Sequence, residues 1–305
     1  MTEKPIILPV DRDLLKGELT EKRFLRKARK GNNEIYIVNH HNSPHLMREI
    51  GRLRELSFRS AGGGTGEEID IDEFDTIEKC YEQLIVWSPE EEEIVGGYRF
   101  IHCSVALNDH QEPRLSTAHY FHFDDRFIQK YLPKTVELGR SWVQPKFQPN
   151  IDPRKGIYAL DNLWDGLGAI ASTYDNTEYY FGKVTMYPSY NTEARDFLLY
   201  FLHYYFPDKE NLMKTKYPLT QSYDSEVFSA LLEGLDFKHG YRVLKKFVRE
   251  RGERVPPLIN LYMQLSPTMK TFGTAVNPDF GGVEETGILI TLNDIYQDKR
   301  ERYIY

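Results

Sequence analysis

The stretch VELGRSWVQPKFQPNIDPRKGIYALDNLWDGLGAIAST (136–173) decides how the rest of the chain is read. Its first eight residues are strand-like and hold an acid and a base, Glu137 and Arg140. A period of two puts Val136, Leu138, Arg140 and Trp142 on one face and Glu137, Gly139, Ser141 and Val143 on the other. The two charged residues then point oppositely, unless a bulge near Gly139 re-aims one of them; bulges are common beside active sites. A loop punctuated by prolines leads to the turn Pro153-Arg154-Lys155-Gly156. Beyond it Ile157, Leu160, Leu163, Trp164, Leu167 and Ile170 recur at threes and fours, which predicts a helix with one apolar face. Strand, loop, basic glycine turn and helix, in this order, set Arg154, Lys155 and the N–H groups from Gly156 onward to meet an anionic group.

The chain around this stretch has 305 residues, 40% of them hydrophobic, enough for a sizeable core in one large domain or two modest ones. The net charge is −7, from 39 basic and 46 acidic residues, which argues against a nucleic-acid partner. Two cysteines, Cys80 and Cys103, are too few for a disulfide framework and fit a reducing compartment. The N-terminus lacks an apolar signal-like stretch, and no run reaches the ~18 apolar residues of a membrane span. A soluble cytoplasmic protein is expected, with peripheral contact to a membrane left open.

Upstream, 1–33 reads as a helical N-terminal extension and 34–305 as a single elaborated domain, since no repeat or linker marks a boundary. Thr20 is the cap candidate of the extension. Lys22, Arg23, Arg26, Lys27, Arg29 and Lys30 then form either a solvated face or a basic face for an acidic partner or anionic lipid. A strand at 34–38 is followed by His40, His41 and His45, whose spacing does not match the two-histidine metal pattern, so no metal is expected. Asn39-His40 opens like the NH-x4-D motif of glycerolipid acyltransferases, but His45 stands where the aspartate is due. Leu46, Ile50 and Leu53 mark a helix over 44–57. The run 61–66 (AGGGTG) lacks the GK[ST] ending of a phosphate loop and reads as a mobile loop, a candidate lid.

Two strands are expected at 83–87 and 94–103. In the second, Arg99 shares a face with Val95, Gly97 and Ile101. A charge among apolar neighbours needs a partner, and Asp72 and Asp75 are the obvious ones. The segment 104–134 is irregular and aromatic, and His119 and His122 read as structural. Downstream come a strand at 179–186, helices at 191–206, 225–232 and 241–251, and a last strand at 287–292. The helix at 241–251 carries Arg242, Lys245, Lys246, Arg249 and Arg251.

Arg54-x3-Phe58, Asp72-x2-Asp75, Arg99 and Glu137-x2-Arg140, in this order, resemble the pattern of acyl-homoserine-lactone synthases. They resemble still more the amino-acid N-acyltransferases of ornithine- and glycine-lipid synthesis. Those proteins are often labelled hemolysin-like and belong to the GCN5-related N-acetyltransferase (GNAT) superfamily. Pro145-Lys146-Phe147-Gln148 with Arg154-Lys155-Gly156 looks like the P-x-[YF]-Q/R-x-x-G loop of the wider group, with an insertion, and VPPLINLY…PDF looks like the tail of the lipid-synthesis branch. Tyr158 departs from the pattern by replacing the second glycine.

The resemblance implies an α/β (α+β) GNAT fold, a mixed central sheet flanked by helices with extra N- and C-terminal elements. It implies an acyltransferase that moves a (3-hydroxy) fatty acyl group from acyl carrier protein to the amine of glycine or ornithine, by direct attack on the thioester. An acyl-homoserine-lactone-type signal synthase or a non-catalytic hemolysin-like membrane protein is the alternative. No permanently bound cofactor is implied; acyl carrier protein, or acyl-CoA, brings the acyl group as co-substrate. Glu137 is the implied base and Arg140 its partner. Arg54, Phe58, Asp72, Asp75 and Arg99 shape the acceptor pocket. Ser141, Val143, Arg154, Lys155 and Gly156 hold the phosphopantetheine arm. A neutral amine attacking a thioester needs a base and an oxyanion donor, and a backbone N–H after the bulge would serve as the latter.

Overall fold

The computed structural model describes residues 3–108, 112–148, 151–156, 158–174 and 176–303, the side chains of 154, 155 and 303 excepted. The strands are β1 (Phe24–Lys27), β2 (Glu34–Val38), β3 (Glu82–Ser88), β4 (Glu93–His102), β5 (Phe121–Phe123), β6 (Thr135–Val143), β7 (Tyr179–Met186), β8 (Met213–Thr215), β9 (Lys270–Asn277) and β10 (Val283–Thr291). The helices are α1 (Arg12–Glu18), α2 (Pro44–Ser60), α3 (Glu73–Thr76), α4 (Pro153–Gly156), α5 (Ala159–Thr173), α6 (Thr192–Tyr205), α7 (Ser225–Leu232), α8 (Phe237–Glu250), α9 (Pro257–Met263) and α10 (Gln297–Tyr303).

Eight strands form one mixed sheet in the order β1-β2-β3-β4-β6-β7-β10-β9. Every pair is antiparallel except β6–β7, which α5 joins as a parallel crossover. Strands β3 and β4 are buried along nearly their whole length, as expected of central strands covered on both faces. On one face Leu84, Phe100, Val136 and Leu138 pack with Leu163 and Leu167 of α5 and Phe197 and Phe201 of α6. On the other, Ile85, Trp87 and Trp142 pack with Leu46, Ile50 and Leu53 of α2, and Ile101 and Phe181 pack with Phe121 and Met213 of the small β5–β8 sheet.

The feature that positions the site is the meeting of β6 and β7. Their pairing covers Thr135↔Tyr179 to Leu138↔Gly182 and then stops. Beyond it β6 follows β4 and β7 follows β10, so the two strands diverge. The expected bulge is present. Gly97 faces Trp142 and Arg99 faces Gly139, which leaves Arg140 and Ser141 together opposite Tyr98. Arg140 adopts φ +45°, a left-handed conformation that costs a non-glycine residue. The extra residue flips the alternation: Leu138 packs on the α5 side, whereas Trp142 packs on the α2 side.

Several expectations are corrected. The basic run after Thr20 forms edge strand β1, and the helix of this region lies earlier, at α1. Part of its charge is met within the protein: Arg29 Nε is 3.1 Å from Asp165 and Lys30 Nζ 3.5 Å from Asp161. Val95 does not share the Arg99 face, because a second bulge lies between the pairs Val86↔Gly96 and Trp87↔Ile94. The 61–66 loop is tethered, with the buried Glu55 carboxylate accepting from the Thr65 hydroxyl at 2.8 Å and from the backbone N–H of Thr65 and Gly66 at 3.0 and 2.8 Å. The Pro153 turn is a helical turn, α4, whose Gly156 N–H bonds the Asp152 carbonyl at 2.9 Å instead of facing outward. Strand β9, a full partner of β10, was not anticipated.

Candidate active site

Where β6 and β7 part, a cavity of about 590 Å³ opens between Gly139, Arg140 and Ser141 on one strand and Lys183, Val184 and Thr185 on the other. Its walls come from both faces of the sheet. Tyr98, Leu138, Tyr180, Tyr262, Ile288 and Ile290 belong to the core under α5 and α6, with Leu258 of α9 beside them. Asp72, Arg99, Arg140, Lys183, Glu285 and His119 line the opposite side, with Phe58 and Phe280. The cavity therefore crosses the sheet, charged on one side and apolar on the other.

The charged side rests on a buried network built by α2, the segment before α3, α3 itself, β4 and the β6 bulge. Arg54 is wholly buried; its Nε lies 3.1 Å from Asp70 and its Nη1 3.2 Å from Asp75. Arg99 Nη1 donates to both oxygens of Asp72 at 2.7 Å and reaches Asp75 at 3.3 Å. Arg140 Nε is 2.9 Å from Asp70, its Nη2 is 3.6 Å from Asp72, and its guanidinium sits 4.5 Å above the Phe280 ring. Three guanidiniums thus face three carboxylates. Burial pushes the carboxyl pKa of Asp70 and Asp75 up, but Arg140 and Arg54 around Asp70, and Arg54 and Arg99 around Asp75, outweigh it and hold both below the ordinary range. Asp72 also caps α3 in a reciprocal capping box with Asp75, so this short helix fixes both acids against Arg99. The pairing of Asp72 and Asp75 with Arg99 expected from the sequence is present, and Arg54 joins them from α2; Arg54 and Asp75, expected in the acceptor pocket, do not line the cavity but lie buried behind Arg99 and Asp72.

Glu137 is placed differently. It is fully buried and is not among the residues that line the cavity. Its Oε1 accepts from Tyr81 at 2.8 Å and Ser116 at 2.7 Å, and its Oε2 from Thr117 at 2.6 Å. Three hydroxyl donors satisfy it behind the wall, and only Ser116 of these also lines the cavity. Of the expected donor-arm residues, Ser141 lines the cavity and its hydroxyl meets Tyr98. Val143 and Gly156 do not line it, and the side chains of Arg154 and Lys155 lie outside the described residues. Phe58 lines it and packs edge-on against Phe280 with ring centres 5.1 Å apart.

Sequence reasoning missed the pair Lys183–Glu285, 2.6 Å apart on β7 and β10. The available signal was a lysine inside the apolar run YYFGKVTM and a double acid inside VEETGILIT. His119, read as structural, lines the cavity and packs edge-on against Phe74. Among the described residues no group of three or more metal-ligating side chains is assembled, and no helix is long and apolar enough to cross a membrane.

An acetyltransferase (GNAT) domain model matches residues 53–151, the span from α2 to the end of β6 and the loop behind it. A glycine N(alpha)-acyltransferase of Bacteroides thetaiotaomicron is 54% identical over 300 residues, covering 98% of this chain and 89% of the relative. A glycine N(alpha)-acyltransferase of Phocaeicola vulgatus is 51% identical over 300 residues, covering 98% of this chain and 92% of the relative. No solved structure shows a significant match. The mixed sheet, its splayed parallel pair and identity of this extent over nearly the whole length agree: the chain is an acyltransferase and belongs to the GNAT-domain glycine N(alpha)-acyltransferase family.

Proposed function

We propose that this enzyme transfers a (3-hydroxy) fatty acyl group from a carrier-protein thioester to the amine of glycine, as a step of aminolipid formation. The observation that carries the reading is the cavity that crosses the sheet at the β6–β7 splay, charged on one side and apolar on the other. An acyl chain suits the side under Tyr98, Tyr262, Ile288 and Ile290. The strand edges at 139–143 and 183–186 face each other without pairing, and offer backbone N–H and C=O groups to the amides of a pantetheine arm. A small zwitterion suits the other side, where Arg140 can hold its carboxylate and the acids its ammonium.

The names of the relatives support glycine as the acceptor. A carrier protein as donor is supported by Tyr158, which stands where a phosphate loop would have its second glycine. It is also supported by the basic, exposed outer face of α8, where Lys238, Arg242, Lys245 and Arg249 follow one another along a stripe on a chain of net charge −7.

In the reaction the amine forms an N–C bond to the thioester carbonyl as the C–S bond breaks. The sulfur leaves with the bonding electron pair and takes one proton, and the ammonium of glycine gives up one more. A backbone N–H at the bulge would stabilise the oxyanion. The test is an assay of purified enzyme with 3-hydroxyacyl carrier protein or acyl-CoA against glycine, ornithine and S-adenosylmethionine, read by mass spectrometry. N-acylglycine formed fastest from the carrier thioester is the expected result. Faster acylation of ornithine would replace glycine as the acceptor, product from S-adenosylmethionine alone would make the protein a signal synthase, and no product from any amine would remove the reading.

A further inference from the structure

The charged side of the cavity holds one carboxylate with an oxygen to spare. Asp72 gives both oxygens to Arg99, Glu137 lies behind the wall under three hydroxyls, and Glu73 stands mostly in solvent. Glu285 is different. It is buried, it lines the cavity, and both of its hydrogen bonds arrive at Oε2: Lys183 Nζ at 2.6 Å and Asn277 Nδ2 at 3.1 Å. The β7–β10 register sets Lys183 opposite Gly287 and Glu285 opposite Thr185, so the two side chains meet diagonally on one face of the sheet. The Tyr120 ring covers the Lys183 ammonium at 3.9 Å. Burial lowers the pKa of Lys183, partly offset by Glu285.

We propose that Glu285 is the base that takes the proton from the acceptor ammonium, and that Lys183 and Asn277 are positioning residues that fix it through Oε2. The inference rests on the acyl-transfer reading above. An O–H bond forms on Glu285 as an N–H bond of the ammonium breaks; the freed amine attacks the carbonyl, the second amine proton goes to the departing thiolate, and Glu285 returns its proton to water. Lys183 and Asn277 both hold Oε2, so that Oε1 is the atom free to react.

The experiment compares glycine with aminooxyacetate, which is one atom longer, carries the same carboxylate and is already unprotonated at neutral pH. In the wild-type enzyme kcat/KM for glycine should fall on an acidic limb that the aminooxy acceptor lacks. Glu285→Gln should lower turnover of glycine about 10²-fold or more while aminooxyacetate loses less than about 5-fold. Lys183→Met should lower turnover of glycine more than that of aminooxyacetate, because Glu285 Oε2 loses the donor that fixes it. Equal losses for both acceptors in Glu285→Gln, the same limb for both acceptors in the wild type, or equal losses for both in Lys183→Met would overturn the assignment. A wild-type enzyme that acylates neither acceptor but does acylate another amine would instead sink the choice of glycine, and this inference with it.

Discussion

Asp75→Asn removes one of three anions that face three guanidiniums inside the protein, and its cost can be worked from the contacts. Asp75 is wholly buried. It accepts from Arg54 Nη1 at 3.2 and 3.3 Å, from Arg99 Nη1 at 3.3 Å, from Gln83 Nε2 at 3.0 Å and from the Asp72 N–H at 3.1 Å. Asparagine keeps one oxygen but turns an NH2 group toward donors. It also leaves the charges of Arg54, Arg99 and Arg140 against Asp70 and Asp72 alone. Breaking one partner out of a buried ion pair costs about 3–5 kcal/mol, a large part of the roughly 5–15 kcal/mol that stabilises an ordinary domain. Urea unfolding followed by circular dichroism reads the loss. Arg54→Met alone should cost a similar amount, because it takes one guanidinium from both Asp70 and Asp75. The double variant removes one charge of each sign, and should recover at least about 1.5 kcal/mol relative to the sum of the singles. A loss below about 1 kcal/mol in Asp75→Asn, or a strictly additive double variant, would show that the network is not held by charge balance.

Two further outcomes follow from the same architecture. Asp70 and Asp75 are held below their unfolded pKa, so the unfolded chain binds more protons than the native one in acid; their contribution is present above about pH 4 and is lost as pH falls below it. The urea midpoint should therefore drop between pH 6 and pH 3, and drop less in Asp75→Asn; an equal drop would place the acid sensitivity elsewhere. Gly182→Ala adds a Cβ only 2.5 Å from the carbonyl oxygen of Leu138, at the last rung before β6 and β7 part. Backbone must move there, so the variant should lose about 1–3 kcal/mol of stability and, through a displaced site, tenfold or more in kcat/KM as an order-of-magnitude expectation; unchanged kinetics would separate the splay from the reacting atoms.

Periodicity made the inner strands β2, β3, β4, β6, β7 and part of β10 legible, with helices α2 and α5 that cover them, and it made the β6 bulge legible as well, because Glu137 and Arg140 could not otherwise share a side. The partnership of Asp72 and Asp75 with Arg99 was readable too, since a buried guanidinium must find anions. What escaped depended on contacts that have no local period. Ser116 and Thr117, which saturate Glu137, come from an irregular segment some twenty residues away in sequence. Strand β1 has four residues and sits at a sheet edge among arginines and lysines, where alternation is too short to register. Lys183 and Glu285 have no visible partner in their own strands until the antiparallel register of β7 and β10 sets them diagonally across from one another.

The four-residue contact between β6 and β7 also divides the sheet mechanically. On one side β1, β2, β3, β4 and β6 are joined by antiparallel ladders, and on the other β7, β10 and β9 are joined in the same way; the seam between them has only the rungs from Thr135 to Leu138. It takes in four of the nine residues of β6 and four of the eight of β7. A molecule lodged in the splay and bonded to both edges would act as a rivet across that seam, and mass action would turn its binding into resistance to unfolding. The width of the opening is then a property of the occupied protein as much as of the empty one.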